Sequence, residues 1–425
     1  MSDDPDSVIV ERLDGDGMGR AGGLILPATL PGERVLPRGG GGTPRIIMPS
    51  PERVRARCVH AGPCGGCTLQ HAADDTVARF KTRRLVDALA AHGIEAETRP
   101  IVTVPERSRR RIALAARRTK GGTLIGHRRR GSEEIVPLDD CLVARPALVD
   151  AIGALPPLVI RLASRSRLLR LTLTEAPAGI DAAIEGAKPP GAALRADLAG
   201  LARGAGLARL ALLDGPAGGV LEEITLTPPL QPMGPGHVLP PPGAFLQPSR
   251  DGAEVLTAAV QEALGLATDG PDRQRERGRR IVDLFAGIGT FALPLSTKAE
   301  VLAVELGKPA LGALDRGWRE AAPRAGLARL TTESRNLFRR PLTVNELAPF
   351  AGAVIDPPFA GAESQMRCLA ASSVPRIASV SCNPVTFARD AAILVEGGYT
   401  LDWVQPVDQF RWSAHLEIVA AFARR

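Results

Sequence analysis

Residues 281–291 read Ile-Val-Asp-Leu-Phe-Ala-Gly-Ile-Gly-Thr-Phe, and the fold class turns on them. Ile281 to Phe285 is a short apolar run interrupted by one carboxylate, the pattern of a strand buried on both faces. Gly287 and Gly289 then allow a tight turn and a close ligand approach at the start of the helix that follows. A second apolar strand, residues 300–304, ends at Glu305, where a carboxylate can bind both hydroxyls of a ribose. Strand, glycine turn, helix and acid-tipped strand together predict a parallel α/β sheet.

Gly287, Gly289 and Ala292 also satisfy the loose dinucleotide pattern, which fits either a nicotinamide dehydrogenase or an enzyme binding S-adenosylmethionine. The acid inside the first strand, Asp283, favours the second, because that ligand has no pyrophosphate for the loop to cradle.

Downstream, residues 353–355 predict a fourth strand ending in Asp356-Pro357-Pro358-Phe359. A ligand in an open α/β sheet sits beyond such strand ends, and the two prolines stiffen the loop that presents Asp356. The string D-P-P-F also resembles the signature of methyltransferases acting on amino groups of adenine or cytosine. A fifth strand, 376–380, leads into Ser381-Cys382-Asn383-Pro384. Asn at the cap and Pro at the first helical position predict a helix over 385–396. Cys382 therefore precedes a helix N-terminus, where the dipole favours a thiolate. Thiolate addition to carbon 6 of uracil would make carbon 5 nucleophilic, whereas methylation of an amino group needs no cysteine. The last strand, read as 415–419, carries His415 and Glu417 on one face by alternation. Glu417 is the candidate base for the carbon-5 proton.

Upstream, the Pro/Gly-dense stretch 228–242 reads as a linker and 150–225 as a mixed α/β filling. Between Arg109 and Cys141 a basic, β-prone stretch holds Arg109–Arg111, Arg117-Arg118 and Arg128–Arg130, with a hairpin turn at Gly121-Gly122. It is the candidate RNA contact. A helix is expected from about Ala72 to Ala91. Cys58, Cys64 and Cys67 precede it and Cys141 stands apart, four thiols that suit either zinc or an iron–sulfur cluster. Residues 8–50 read as short strands broken by Gly and Pro.

The chain has 425 residues, a net charge of +7 and only 3% aromatic residues. Excess Arg favours a polyanionic partner, and the scarcity of aromatics argues against a sheet of stacking rings as in common RNA modules. No apolar run is long enough to span a bilayer, and the acidic start Met-Ser-Asp-Asp-Pro-Asp is unlike a secretory leader. A cytoplasmic protein, a monomer without membrane contact, is expected.

These segments occur in one order: Phe245-Leu246-Gln247-Pro248-Ser249, Asp283 to Phe291, Asp356 to Gly361, Ser381 to Pro384 with Arg389-Asp390, and Val407-Asp408-Gln409-Phe410 with His415-Leu416-Glu417. Together they resemble the RNA uracil-5-methyltransferase family. The resemblance implies Cys382 as nucleophile and Glu417 as base. It places Gln247, Phe285, Thr290, Glu305, Asn336 and Asp356 around S-adenosylmethionine, with Gln247 and Asp356 also near the uracil. Cys58, Cys64, Cys67 and Cys141 look like the 4Fe–4S site of the members that act on 23S ribosomal RNA; transfer RNA is the other candidate substrate. The implied architecture is α/β: a TRAM-like RNA-binding barrel (1–50), an α+β central iron–sulfur domain (51–235), and a class I, Rossmann-like methyltransferase domain with a mixed seven-stranded sheet (236–425). The chain departs from the family at Phe359, where Arg is usual, at Ala286 and Thr290, and across Arg411–Ala414. A non-catalytic RNA-binding or assembly protein is the reading furthest from these expectations.

Overall fold

The structure is a computed structural model that describes residues 6–215, 218–266 and 278–424; the acidic start, 1–5, lies outside the described residues. Its C-terminal half is built on a nine-stranded sheet. In spatial order the strands are Leu330–Ser334, Glu300–Glu305, Arg280–Leu284, Gly352–Ile355, Arg376–Ser381, Glu417–Arg424, Tyr399–Asp408 and Glu97–Thr98, with Val102–Thr103 also pairing to Tyr399–Asp408. All pair in parallel except Glu417–Arg424, which runs antiparallel to both neighbours. The order reverses between Arg280–Leu284 and Gly352–Ile355. That reversal opens a crevice at the carboxyl ends of the strands.

Seven of the nine strands lie in 280–424, the mixed seven-stranded sheet expected from sequence. The other two come from residues 97–103, too short and too polar to announce themselves as strands. They cover the outer edge of Tyr399–Asp408, which would otherwise leave a row of backbone groups unpaired. Just upstream, the helix Asp74–Ala90 packs against the helix Pro384–Glu396. Its Leu85 and Leu89, with Ile94, are buried in the core on that face of the sheet. Residues 74–104 thus serve the catalytic sheet, although their position in the chain groups them with the central segment.

The middle of the chain forms a second, seven-stranded sheet, Ile135–Pro137, Thr123–Arg128, Arg111–Arg118, Leu169–Ala176, Gly179–Glu185, Leu207–Leu213 and Val220–Thr225 in spatial order. Its helices Pro146–Ala154, Pro156–Leu162 and Ala192–Gly204 share one apolar core with it. The expected hairpin is present: Arg111–Arg118 pairs antiparallel with Thr123–Arg128, and the Thr119 amide donates to the Gly122 carbonyl at 2.8 Å across the turn. Residues 8–48 form two small three-stranded sheets.

Two local expectations change. The stretch read as a linker contains a hairpin, Gln231–Met233 with Gly236–Val238, seated on the helix Lys308–Ala325. Its small residues allow this, since a Cβ on Gly236 would lie 3.0 Å from that of Ala321. The run Arg109–Arg111 does not offer its charges to solvent. Arg110, 5% exposed, donates through Nε to the Gln247 carbonyl at 3.1 Å, and Arg111 reaches the Gly243 carbonyl at 3.2 Å. These side chains fasten the central sheet to the segment entering the catalytic half, whereas Arg128–Arg130 stay exposed or half-exposed on their turn. Among the described residues no helix is long and apolar enough to cross a membrane.

Candidate active site

The first catalytic strand delivers its chain to the crevice through a strained turn. Phe285 has φ +64°, a left-handed conformation that side chains avoid and that clusters at functional sites. Gly289, at φ +94°, is required on two counts: a Cβ there would stand 2.3 Å from Leu314 Cδ1. Glu305, at the end of the second strand, accepts from the amides of Gly287 at 3.2 Å and Gly307 at 2.9 Å. The acid thereby holds the glycine turn beside itself. Beneath them Asp283 is fully buried, and among the described residues neither carboxylate oxygen has a partner in hydrogen-bonding geometry. Burial pushes its pKa well up; the Asp356 and Glu305 charges add to this, while the Ala292 amide opposes it.

A cavity of about 620 Å³ opens over the strand ends and gathers Gln247, Phe285, Glu305, Asn336, Asp356, Cys382 and Glu417. Sequence reasoning had named all seven. Thr290 is the exception: it lines a different cavity, with Arg110, Arg250 and Thr257. His415 also departs from expectation. The strand starts at Glu417, so His415 lies before it, exposed, with its ring edge-on to Phe410 at 5.7 Å.

Cys382 stands where the fifth strand, Arg376–Ser381, meets the helix Pro384–Glu396. Asn383 caps that helix, its side-chain oxygen accepting from the Val385 amide at 3.1 Å. The expected thiolate is not what this setting produces in the free protein. Burial, then the Glu417 and Asp356 carboxylates, push the Cys382 thiol up to about 12. Two nearby acids and desolvation outweigh a helix terminus. The acids are perturbed themselves: burial raises Asp356 to about 7, and burial with the Asp356 charge raises Glu417 well above the carboxylate range.

Gln409 stands in a segment that carries the family resemblance, but sequence reasoning gave it no role. It is 3% exposed, donates to Gln247 Oε1 at 2.7 Å and lies beside Glu417, whose pKa it pulls slightly down. Gln247 in turn approaches Asp356 Oδ2 at 3.5 Å. The available signal was a glutamine directly after a strand and next to the base-bearing segment. Leu306, Phe338 and Phe359 also line the cavity, and Phe338 packs its ring 5.2 Å from Phe285.

The four N-terminal cysteines are free thiols in one neighbourhood. Burial, and beyond it the charges of the other three cysteines, raise Cys67 to about 12; burial, with Cys141 and Cys58 contributing, raises Cys64. The Gly66 amide points at Cys64 Sγ, 3.4 Å away. Among the described residues no three His, Cys, Asp or Glu side chains already converge as a site for one metal ion.

A parallel sheet with one reversed strand, a glycine turn after the first strand and an acid closing the second define a class I, S-adenosylmethionine-dependent methyltransferase. Comparison with known proteins narrows the class. Residues 244–425 match the tRNA (uracil-5-)-methyltransferase family model. An uncharacterized RNA methyltransferase of Rhizobium meliloti is 39% identical, over 98% of this chain and 99% of its own length. The 23S rRNA (uracil(1939)-C(5))-methyltransferase of Alkalilimnicola ehrlichii is 32% identical, over 99% of this chain and 97% of its own. Among solved structures, the tRNA (uracil-54, C5)-methyltransferase of Pyrococcus abyssi, in complex with S-adenosyl-L-homocysteine, superposes with a TM-score of 0.76 at 23% identity, covering 99% of this chain and 100% of its own. The chain belongs to the RNA uracil-5-methyltransferase family, and its activity is S-adenosylmethionine-dependent methylation of uracil carbon 5 in RNA.

Proposed function

We propose that this enzyme methylates a uridine of 23S ribosomal RNA through a covalent adduct formed by Cys382. The observation that carries the reading is the convergence of Cys382, Asp356, Glu417 and Gln247 on one cavity. The Cys382 sulfur adds to carbon 6, and its proton passes to Asp356, whose pKa of about 7 makes it an acceptor near neutrality. The addition leaves an enolate that is nucleophilic at carbon 5. S-adenosylmethionine supplies the electrophilic methyl group. Glu417, in its carboxylate form, then removes the carbon-5 proton, the carbon 5–carbon 6 double bond re-forms, and the cysteine sulfur leaves and takes back the proton held by Asp356. Gln247 and Gln409, bonded to each other, hold the uracil side of the cavity. Phe285, Glu305, Asn336 and Phe338 form the side for the adenosine, with Glu305 placed for the ribose hydroxyls.

The uridine would have to leave its stack to reach Cys382. RNA carrying 5-fluorouridine at the target tests the chemistry, because fluorine at carbon 5 cannot leave as a proton. The expected result is a stable adduct on Cys382 that is absent from Cys382→Ala. Glu417→Gln should accumulate the methylated adduct on ordinary RNA. Turnover of RNA with no adduct would instead favour methylation of a base amino group, the reading that Asp356–Phe359 invites. The full-length match to a 23S enzyme supports ribosomal RNA; mass mapping of ribosomal and transfer RNA from a deletion strain decides between them.

Cys58, Cys64, Cys67 and Cys141 are assigned to a 4Fe–4S cluster. Four clustered thiols and an amide aimed at one sulfur fit such a group. The assigned role is structural, bracing the loop 58–67.

A further inference from the structure

The chain has ten phenylalanines, and three of them, Phe245, Phe338 and Phe359, are at least half exposed, at 63%, 50% and 60%. All three line the catalytic cavity. In a chain with 3% aromatic residues, exposed rings confined to one cavity mark a site for a flat, apolar-faced group. Phe338 leans on Phe285 beside Asn336 and belongs to the adenosine side. Phe359 lies elsewhere, at the tip of the loop that begins with Asp356.

The exposure of Phe359 is not the result of a slack loop. Its carbonyl accepts from Asn383 Nδ2 at 3.1 Å and from Thr386 Oγ1 at 3.2 Å. The Gly361 amide closes a turn onto the Pro358 carbonyl at 2.8 Å, and the Ala362 amide donates to Asp390 at 2.9 Å. Arg389 holds the Ala360 carbonyl at 3.2 Å. Pro357 and Pro358 remove further freedom. The loop is pinned to the helix that follows the nucleophile, and the residue joining them, Asn383, is Cys382's own neighbour. A ring carried on a pinned backbone in the cavity of the reacting cysteine has lost part of its freedom in advance, a condition that favours affinity.

We infer that Phe359 is a stacking subsite for an unpaired RNA base adjacent to the target uridine. This rests on the assignment of Cys382 as the centre on which the uridine docks. A guanidinium in this place would grip a phosphate and ignore the base; a phenyl ring engages a base face and requires the flanking nucleotide to be unstacked. Phe359 thereby selects RNA whose target lies in a single-stranded segment.

The test uses the full-length protein and a short oligouridine containing one 2-aminopurine. Stacking on Phe359 should quench the 2-aminopurine on binding. Phe359→Ala should abolish the quench and weaken binding roughly five- to hundred-fold. Phe359→Trp should restore both, and Phe359→Leu, equally apolar, should not. The thermal melting midpoint should stay unchanged in all three, which separates a lost subsite from a damaged fold. Equal quenching and affinity in wild type and Phe359→Ala would overturn the inference. The 5-fluorouridine adduct reads the covalent mechanism separately: an intact adduct with no quench removes the subsite alone, and a quench with no adduct removes the mechanism alone.

Discussion

Burial beside Glu417 and Asp356 pushes the Cys382 thiol up to about 12, so the free enzyme holds it protonated at neutral pH. Its alkylation should therefore climb about tenfold per pH unit through pH 8–9, followed by mass mapping of Cys382 against Cys382→Ser. A plateau below pH 8 would reveal a thiolate already formed. In the proposed reaction the proton passes to Asp356. A carboxyl titrating at about 7 is protonated below that pH and cannot accept, so adduct formation with 5-fluorouridine RNA should fall as pH drops through 7. Asp356→Asn should be slow and flat across the same range. At this scale Cys382, Asp356 and Glu305 were legible because each sits at a strand end that periodicity and capping residues locate, whereas alternation placed Glu417 mid-strand and the family resemblance gave it the role of base. What their pKa values become was not, since that depends on neighbours more than 20 residues away in the chain and on exclusion of water.

Among the elements, the helix Asp74–Ala90 has the most unexpected role. Lys81, fully buried, donates to Asp408 at 2.6 Å and to the Phe410 carbonyl at 3.1 Å. Asp408 also accepts from the Phe410 amide at 3.0 Å, directly beside Gln409. The helix thus holds the end of the strand from which Gln409 reaches Gln247. Lys81→Met should cost about 3–5 kcal/mol in chemical denaturation, because it strands the Asp408 charge. The double replacement Lys81→Met with Asp408→Leu should recover most of that stability while leaving Gln409 less well placed, seen as a lower kcat. Gly289→Ala has a different cause: a Cβ at 2.3 Å from Leu314 and an unfavourable φ should weaken both folding and S-adenosyl-L-homocysteine binding in the same variant. Neither the role of Lys81 nor the short strands 97–103 carries a periodic signal, so both stayed hidden until the fold paired them with partners some 300 residues away.

Across the whole molecule, the cysteine loop and the catalytic centre are joined. The amides of Thr68 and Leu69 both donate to the Trp412 carbonyl, at 2.7 and 2.8 Å. Trp412 in turn donates from its indole to Asp74 at 2.9 Å, and Arg411 pairs with Asp74 at 2.7 Å. This turn, 410–416, immediately precedes Glu417. Loss of the proposed cluster should therefore be felt at Glu417. Cys67→Ser should lose visible absorbance, melt several degrees lower and methylate more slowly, yet bind S-adenosyl-L-homocysteine within about twofold. Colourless wild-type protein holding stoichiometric zinc would refute the 4Fe–4S assignment. The departures at Arg411 and Trp412, unexplained by sequence alone, are the contacts that make this junction.

The class of fold, the glycine turn and the capped helix behind Cys382 follow from the sequence by itself, because they rest on local periodicity and on residue types with narrow conformational uses; the family follows from motifs that resemble its members in one order. The tertiary structure alone decided that Thr290 lines a different cavity, that Arg110 and Arg111 are internal fasteners, that Gln409 joins the site and that Phe359 stands exposed in the cavity lining. It also decided that burial, with two carboxyl groups close by, pushes the Cys382 thiol up. These are outcomes of burial and of long-range contact, which fix how strongly a charge is solvated and which side of a loop a side chain occupies.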